Sequence, residues 1–156
     1  MRNNLFSLIL LLLCVSILNS CAYKTETNVT VELMNAGTIV VPGENTTVVY
    51  NPDNTVSIFF NEELMMIGYS EVLEGRMKDS QHDSIELKEY VSSSVFSNNM
   101  IYGKAVFEVD GEEIERYYLS TTNLIGDELH EYIIIVWSNS MDSKAVEDIA
   151  KSFIHC

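Results

Sequence analysis

Residues 104–118 read KAVFEVDGEEIERYY, and this stretch decides how the second half of the chain is read. Asp110-Gly111 suits a two-residue type I′ turn, in which both central residues take positive φ. With those two residues as the loop, Val109 faces Glu112, Phe107 faces Ile114 and Ala105 faces Arg116. One face of the hairpin then carries Ala105, Phe107, Val109, Ile114 and Tyr118. The other carries Lys104, Glu108, Glu113 and Glu115, with Val106 as the exception. A slip of one residue would exchange the two sets, so one register is strongly preferred. In that register Tyr102 falls opposite Leu119, and Tyr117 opposite Lys104.

Towards the C-terminus, Glu131 to Trp137 reads EYIIIVW. Ile133, Ile135 and Trp137 alternate with Tyr132, Ile134 and Val136, so both faces are apolar and the strand is expected to be central and covered on both sides. A helix follows from about Ser140 or Asp142. Val146, Ile149, Ala150 and Phe153 form its apolar stripe, with Glu147, Asp148 and Lys151 facing water. Towards the N-terminus, Asp83 and Glu86 have the spacing of a capping box. Leu87, Tyr90, Val91 and Val95 follow at helical spacing and predict a mid-chain helix ending at Asn98-Asn99. Between Glu71 and Gln81 the pattern allows either a loop or a poor helix broken at Gly75. Before that, Val29–Leu33, Thr38–Val41, Thr47–Tyr50, Val56–Phe60 and Leu64–Tyr69 read as short strands. Ala36-Gly37, Pro42-Gly43 and Asn51-Pro52-Asp53-Asn54 supply turns between them, and Asn61-Glu62-Glu63 marks the last break less sharply. The expected architecture is α+β: an antiparallel sheet ending in a strand meander, flanked by a mid-chain helix and a C-terminal helix.

The N-terminus carries an address. Arg2 is followed by a charge-free apolar run from Leu5 to Leu18, 14 residues long, against the roughly 20 needed to span a bilayer. A basic start, a short apolar middle and small polar residues at the end describe a secretory signal peptide. Its end, Leu18-Asn19-Ser20-Cys21, resembles the lipobox of bacterial lipoproteins, with Asn19 departing from the usual small residue. The resemblance implies acylation of Cys21, which would become the new N-terminus. Residues 1–20 are then a lipoprotein signal peptide, 21–28 a lipidated tether, and 29–156 a single α+β domain. Two or more acyl chains hold a protein stably on a membrane, so the expected location is the bacterial cell envelope. Ala22 after the Cys, by the same resemblance, points to the outer membrane.

Net charge is −14, and Arg2 lies in the leader, so the remainder is one charge more acidic. Such a surface is repelled by nucleic acid and by anionic headgroups, which excludes nucleic acid as a partner through charge. The membrane is met through the lipid anchor. Cys14 lies in the leader and Cys21 is the lipid site, which leaves Cys156 as an odd thiol at the last position. In an oxidising compartment it is available for a disulfide-linked dimer.

The order of elements, the helix around Leu87-Lys88-Glu89-Tyr90, the meander through Gly103 and Tyr132, and the ending Ile149-Ala150-Lys151-Ser152-Phe153 together resemble the PsbP-like fold, including DcrB-type envelope lipoproteins. The resemblance covers roughly Thr38 to Ile154 and rests on pattern and order. It implies a sheet flanked by helices and a role without catalysis. It carries over no catalytic residues and no cofactor.

Motif search agrees with a binding role. The chain has no Gly-x-Ser-x-Gly elbow, no His-Glu-x-x-His, no phosphate loop and no Cys-x-x-Cys. His82, His130 and His155 are far apart in sequence. His130, at the start of the central strand, lies beside Asp127, Glu128 and Glu131, a setting that serves a metal site or an acid–base pair or, more simply, a solvated strand entrance. The acidic hairpin tip, Glu108 to Glu115, lacks the ligand spacing of an EF-hand loop. Tyr102 and Tyr117 are the candidate partner-binding residues, since interface energy concentrates in exposed aromatics. Three functions follow as expectations: an envelope module that binds a protein or assembles a complex, a small-ligand carrier with an apolar pocket, or a hydrolase with a dispersed site.

Overall fold

The computed structural model describes residues 28–72, 76–77 and 84–156. The signal-peptide run, Cys21, the tether up to Thr27, His82 and the proposed cap at Asp83 lie outside them. Eleven strands and one helix occur among the described residues. The strands are β1 (Asn28–Leu33), β2 (Gly37–Pro42), β3 (Thr46–Tyr50), β4 (Val56–Phe60), β5 (Glu63–Val72), β6 (Arg76–Met77), β7 (Ile85–Val95), β8 (Ile101–Val109), β9 (Glu112–Ile125), β10 (Glu128–Val136) and β11 (Ile154–His155). The helix α1 spans Ser143–Lys151. No helix among the described residues is long and apolar enough to cross a membrane.

This corrects the expected fold class. The chain is a mostly-β protein of two antiparallel sheets, with order β1-β2-β11 in the small one and β3-β4-β5-β10-β9-β8-β7-β6 in the large one. It is not an α+β fold with two flanking helices, because the stretch read as the mid-chain helix is the strand β7. The reason lies in its pairing. Against the regular positions 109, 107, 105, 103 and 101 of β8, β7 sets Ile85, Leu87, Tyr90, Ser93 and Val95. Register shifts after Leu87 and after Tyr90 leave Lys88 and Val91 as extra residues. Two bulges thus stretch the strand period of two into steps of three, which imitates a helix.

The Asp110-Gly111 turn forms as expected, with φ of 48° and 90°, and every pair predicted for the hairpin is observed, including Tyr102 with Leu119 and Lys104 with Tyr117. Strand β10 is central, between β5 and β9. Ile133 and Ile135 are buried on one face, and Tyr132, Ile134 and Val136 on the other. Helix α1 also forms, with Asp142 as N-cap accepting from the Ala145 amide at 2.8 Å. Val146, Ile149 and Ala150 are buried, and so is Phe153 just beyond its end. The Asn98 side chain, from the β7–β8 turn, donates to the carbonyls of Ala150 and Phe153 at 3.0 Å each. It satisfies oxygens that a helix terminus leaves open.

Two cores result. The larger packs the small sheet and α1 onto one face of the large sheet, joining Val31, Leu33 and Ile39 to Ile58, Met66, Leu119, Ile134, Val146 and Phe153. The smaller lies on the opposite face and draws Ile67, Tyr69, Met77, Ile85, Phe107, Tyr118 and Ile135 from six different strands. These residues are almost fully buried although no helix or second sheet covers them among the described residues. The large sheet curls over its own face to enclose them. Strand β5 ends at Val72 and β6 begins at Arg76, four residues on and so at most roughly 14 Å away, although five strand spacings separate the two in the sheet, roughly 24 Å if it were flat. Only a strongly coiled sheet brings the two together.

A Met-lined groove as the candidate functional site

An apolar cavity of about 380 Å³ opens where the two sheets and the start of α1 meet. Val41 and Pro42 of β2 and Thr46 of β3 form one wall. Ile58 and Phe60 of β4, with Met65 and Met66 of β5, form the floor. Met141, Ala145 and Ile149 close the helix side, with Ser140 and Asp142 at the rim.

The floor depends on a bulge. Successive residues of a regular strand point to opposite faces, yet Met65 and Met66 both line the groove. Ile58 pairs with Met66 and Phe59 with Leu64, so Met65 is the extra residue. Its carbonyl accepts from the amides of Trp137 at 2.8 Å and Ser138 at 3.3 Å. The chain leaving β10 is thereby fastened to the bulge, and Met141 is brought over the groove. Met65, Met66 and Met141 give the wall three flexible, polarizable side chains that adapt to a guest's shape.

The polar groups at the rim are already engaged. Thr46 Oγ1 donates to the Pro42 carbonyl. Asp142 Oδ1 caps α1, and Ser140 shares a hydrogen bond with Ser138 at 2.6 Å. The groove therefore offers mainly apolar contact area, with each of these three polar side chains at the rim already held in a hydrogen bond, which suits an apolar guest over a polar one. Sequence reading could not find this site, since the Met65-Met66 pair looks like one buried and one exposed strand position.

The residues singled out from sequence lie elsewhere. Tyr102 and Tyr117 are half-buried against the larger core. The Tyr102 ring stacks on Phe96 at 5.7 Å between centroids, and its hydroxyl shares a 3.0 Å hydrogen bond with Ser143 at the start of α1. Tyr117 lies under the Lys104 ammonium, 5.1 Å from its ring centroid, beside a small cleft of about 110 Å³ that includes Arg116 and Met141. Met141 thus stands between that cleft and the groove.

His130 is half-buried in a crevice of about 10 Å³ with Asn35, Asn123 and Tyr132. Its sequence neighbour Glu131 projects from the opposite face of β10, where it accepts from Ser120 at 2.6 Å and its charge acts on the Tyr90 hydroxyl. Among the described residues no group of three His, Cys, Asp or Glu side chains could hold a metal ion. Cys156 is a free, exposed thiol beside a second cleft of about 560 Å³, whose lining mixes Glu32, Asn35 and Thr38 with Leu33 and Tyr50.

Within the coiled face, Tyr90 and Tyr118 lie 5.1 Å apart at a 48° tilt. Burial, and then the Glu131 carboxylate, push the Tyr90 hydroxyl up to about 12 and the Tyr118 hydroxyl upward as well. Raised values keep both as neutral hydrogen-bond donors, the opposite of what a base or nucleophile needs. Tyr132 is buried with its hydroxyl unpartnered, lying over Gly68, where a Cβ would come within 2.7 Å of that oxygen. Compared with family models, curated proteins and solved structures, the chain gives no match.

Proposed function

We propose that the protein is a non-catalytic carrier of a small apolar ligand, held at the bacterial envelope by a lipid on Cys21, with the Met-lined groove as its binding site. The observation that carries the reading is the groove itself: about 380 Å³ of mostly apolar wall with its few polar side chains kept to the rim and each held in a hydrogen bond there. Its size falls in the range of small-molecule pockets, roughly 300–1,000 Å³. The address supports the same reading, because a tethered carrier meets apolar molecules at a membrane surface. The tether reading rests on the Leu18-Asn19-Ser20-Cys21 tetrad after a short apolar run.

The test is displacement of a naphthalene-sulfonate dye by decanoate, followed by fluorescence. Wild type is expected to bind the dye and release it to decanoate. Ala145→Leu fills the groove from α1 and is expected to weaken binding at least tenfold. Lys144→Ala, on the exposed side of the same helix, should bind as wild type does. Equal binding by Ala145→Leu and wild type would remove the groove from the account.

A further inference from the structure

The large sheet ends in two open edges that are built differently. Beyond its short pairing with β6, β7 has no further strand beside it among the described residues. It carries Glu86, Lys88 and Glu89 and two bulges. Charges and bulges are the usual devices that stop an edge from recruiting another strand. The opposite edge, β3, has neither. Asn45 to Pro52 contains no charged residue in a chain of net charge −14, and the pairing of β3 with β4 is regular over all five residues.

The hydrogen-bond parity of β3 is readable from its ends. The Asn51 amide donates to the Thr55 carbonyl, and the Asn61 amide to the Asn45 carbonyl. Odd-numbered residues therefore turn their backbone groups to β4, and Thr46, Val48 and Tyr50 turn theirs outward. Of these, the Thr46 amide is engaged by Gly43. Thr47, Val49 and Tyr50 have exposed side chains.

We propose that β3 is a strand-addition edge whose occupant is β3 of a second copy, antiparallel and centred on Val48. In that register Val48 faces Val48, Thr47 faces Val49 and Thr46 faces Tyr50. Both partners of the Val48 pair exchange N–H and C=O, and each Tyr50 amide meets a Thr46 carbonyl, for about four backbone hydrogen bonds. A full ladder in this register has six such bonds, and the two that the Thr46 amides would donate are forgone because each is held by its own Gly43 carbonyl. The flanking acids decide between a second copy and an unrelated strand. Glu44 falls opposite Pro52 and Asp53 opposite Gly43, so two strongly acidic chains meet without setting carboxylates against each other. A five-residue edge buries less than the roughly 1,000 Å² of a stable interface, so the dimer is weak.

Both cores are built from residues between Val31 and Phe153, so a chain beginning at Ala22 keeps the folded unit. Sedimentation equilibrium on that chain, with Cys156→Ser to remove the disulfide route, should show the mass rising toward twice the monomer at protein concentrations on the order of hundreds of micromolar. Thr47→Lys with Val49→Lys sets like charges opposite each other at two exposed positions and should abolish the rise. Thr47→Lys with Val49→Glu sets opposite charges across the same pair and should restore it. A wild-type mass that stays monomeric overturns the proposal. So does equal behaviour of the two double variants, since only the stated register tells them apart. Circular dichroism melts of each variant check that the monomer remains folded.

Discussion

Strand β8 has a partner on each side, and the two pairings differ in kind. With β9 it forms a hairpin without a register shift, from Ile101 opposite Ser120 to Val109 opposite Glu112. With β7 it forms a ladder broken twice, in which eleven residues of one strand span nine of the other. The same β8 residues, Gly103 and Ala105, serve both. On the β9 side they leave room for Tyr118, which lies directly opposite Gly103 and reaches across to the Tyr90 ring of β7. On the β7 side Gly103 lets the bulged backbone come close. An ideal Cβ at Gly103 would stand 1.9 Å from the Ser92 carbonyl oxygen. The regular pairing is thus specified by side chains and a turn, and the irregular one by the absence of a side chain.

That difference predicts which pairing is easier to break. Gly103→Ala should have the largest effect, because its methyl group meets backbone that no rotamer change can move. The expected loss is about 3 kcal/mol or more, at the upper end of overpacking costs, read as a fall in the urea midpoint. An unchanged midpoint would mean that β7 stands further from β8. Gly111→Val attacks the other pairing and should cost less. Nothing lies within 4 Å of a Cβ built there, so the penalty is confined to a β-branched residue at φ +90°. About 1–2 kcal/mol is expected, with the ladder itself kept. A melting temperature equal to wild type would show that the turn tolerates the strain.

The contrast also explains what could be read from the residues alone. The β8–β9 hairpin was legible because its apolar and charged residues largely alternate and Asp-Gly marks the turn. Strand β10 was legible because a run apolar on both faces has few places to go. Helix α1 kept its period and its cap. Strand β7 was not legible, since Leu87, Tyr90 and Ser93 share a face only after two residues are set aside as bulges. A wrong period there carried the whole fold class with it. Short hairpins turned on a subtler signal. Asn35, Asn45, Asn54, Asn61 and Asn99 all take positive φ, the conformation that Asn tolerates better than most residues. Asn99 closes the stretch assigned to a helix with the same turn signal that the earlier strand breaks carry. The groove was hidden for the same reason as β7: Met65 is a bulge residue, and bulges do not announce themselves in a periodic pattern.

The smallest effect concerns the tyrosine pair that bridges the two pairings. Tyr90 is about half-exposed, yet its hydroxyl is pushed up to about 12, first by desolvation and then by the Glu131 carboxylate. An unfolded tyrosine ionises near 10. Between those values the folded chain holds a proton that the unfolded chain has released. Unfolding then releases a proton, and stability falls as pH rises. The contribution is whole below pH 10 and lost as pH passes about 12. Tyr90→Phe has no such proton, so its stability should decline less steeply than wild type across that window. Lys88, Lys104 and Lys144 are also shifted upward by their carboxylate partners, and they titrate in both proteins, so the difference between the two curves isolates Tyr90. Tyrosinate absorbance gives an independent reading: one late-ionising hydroxyl should disappear from the folded-state titration in the variant. Parallel stability curves for the two proteins would mean that the Tyr90 hydroxyl is solvated in the folded chain and does not feel the Glu131 charge.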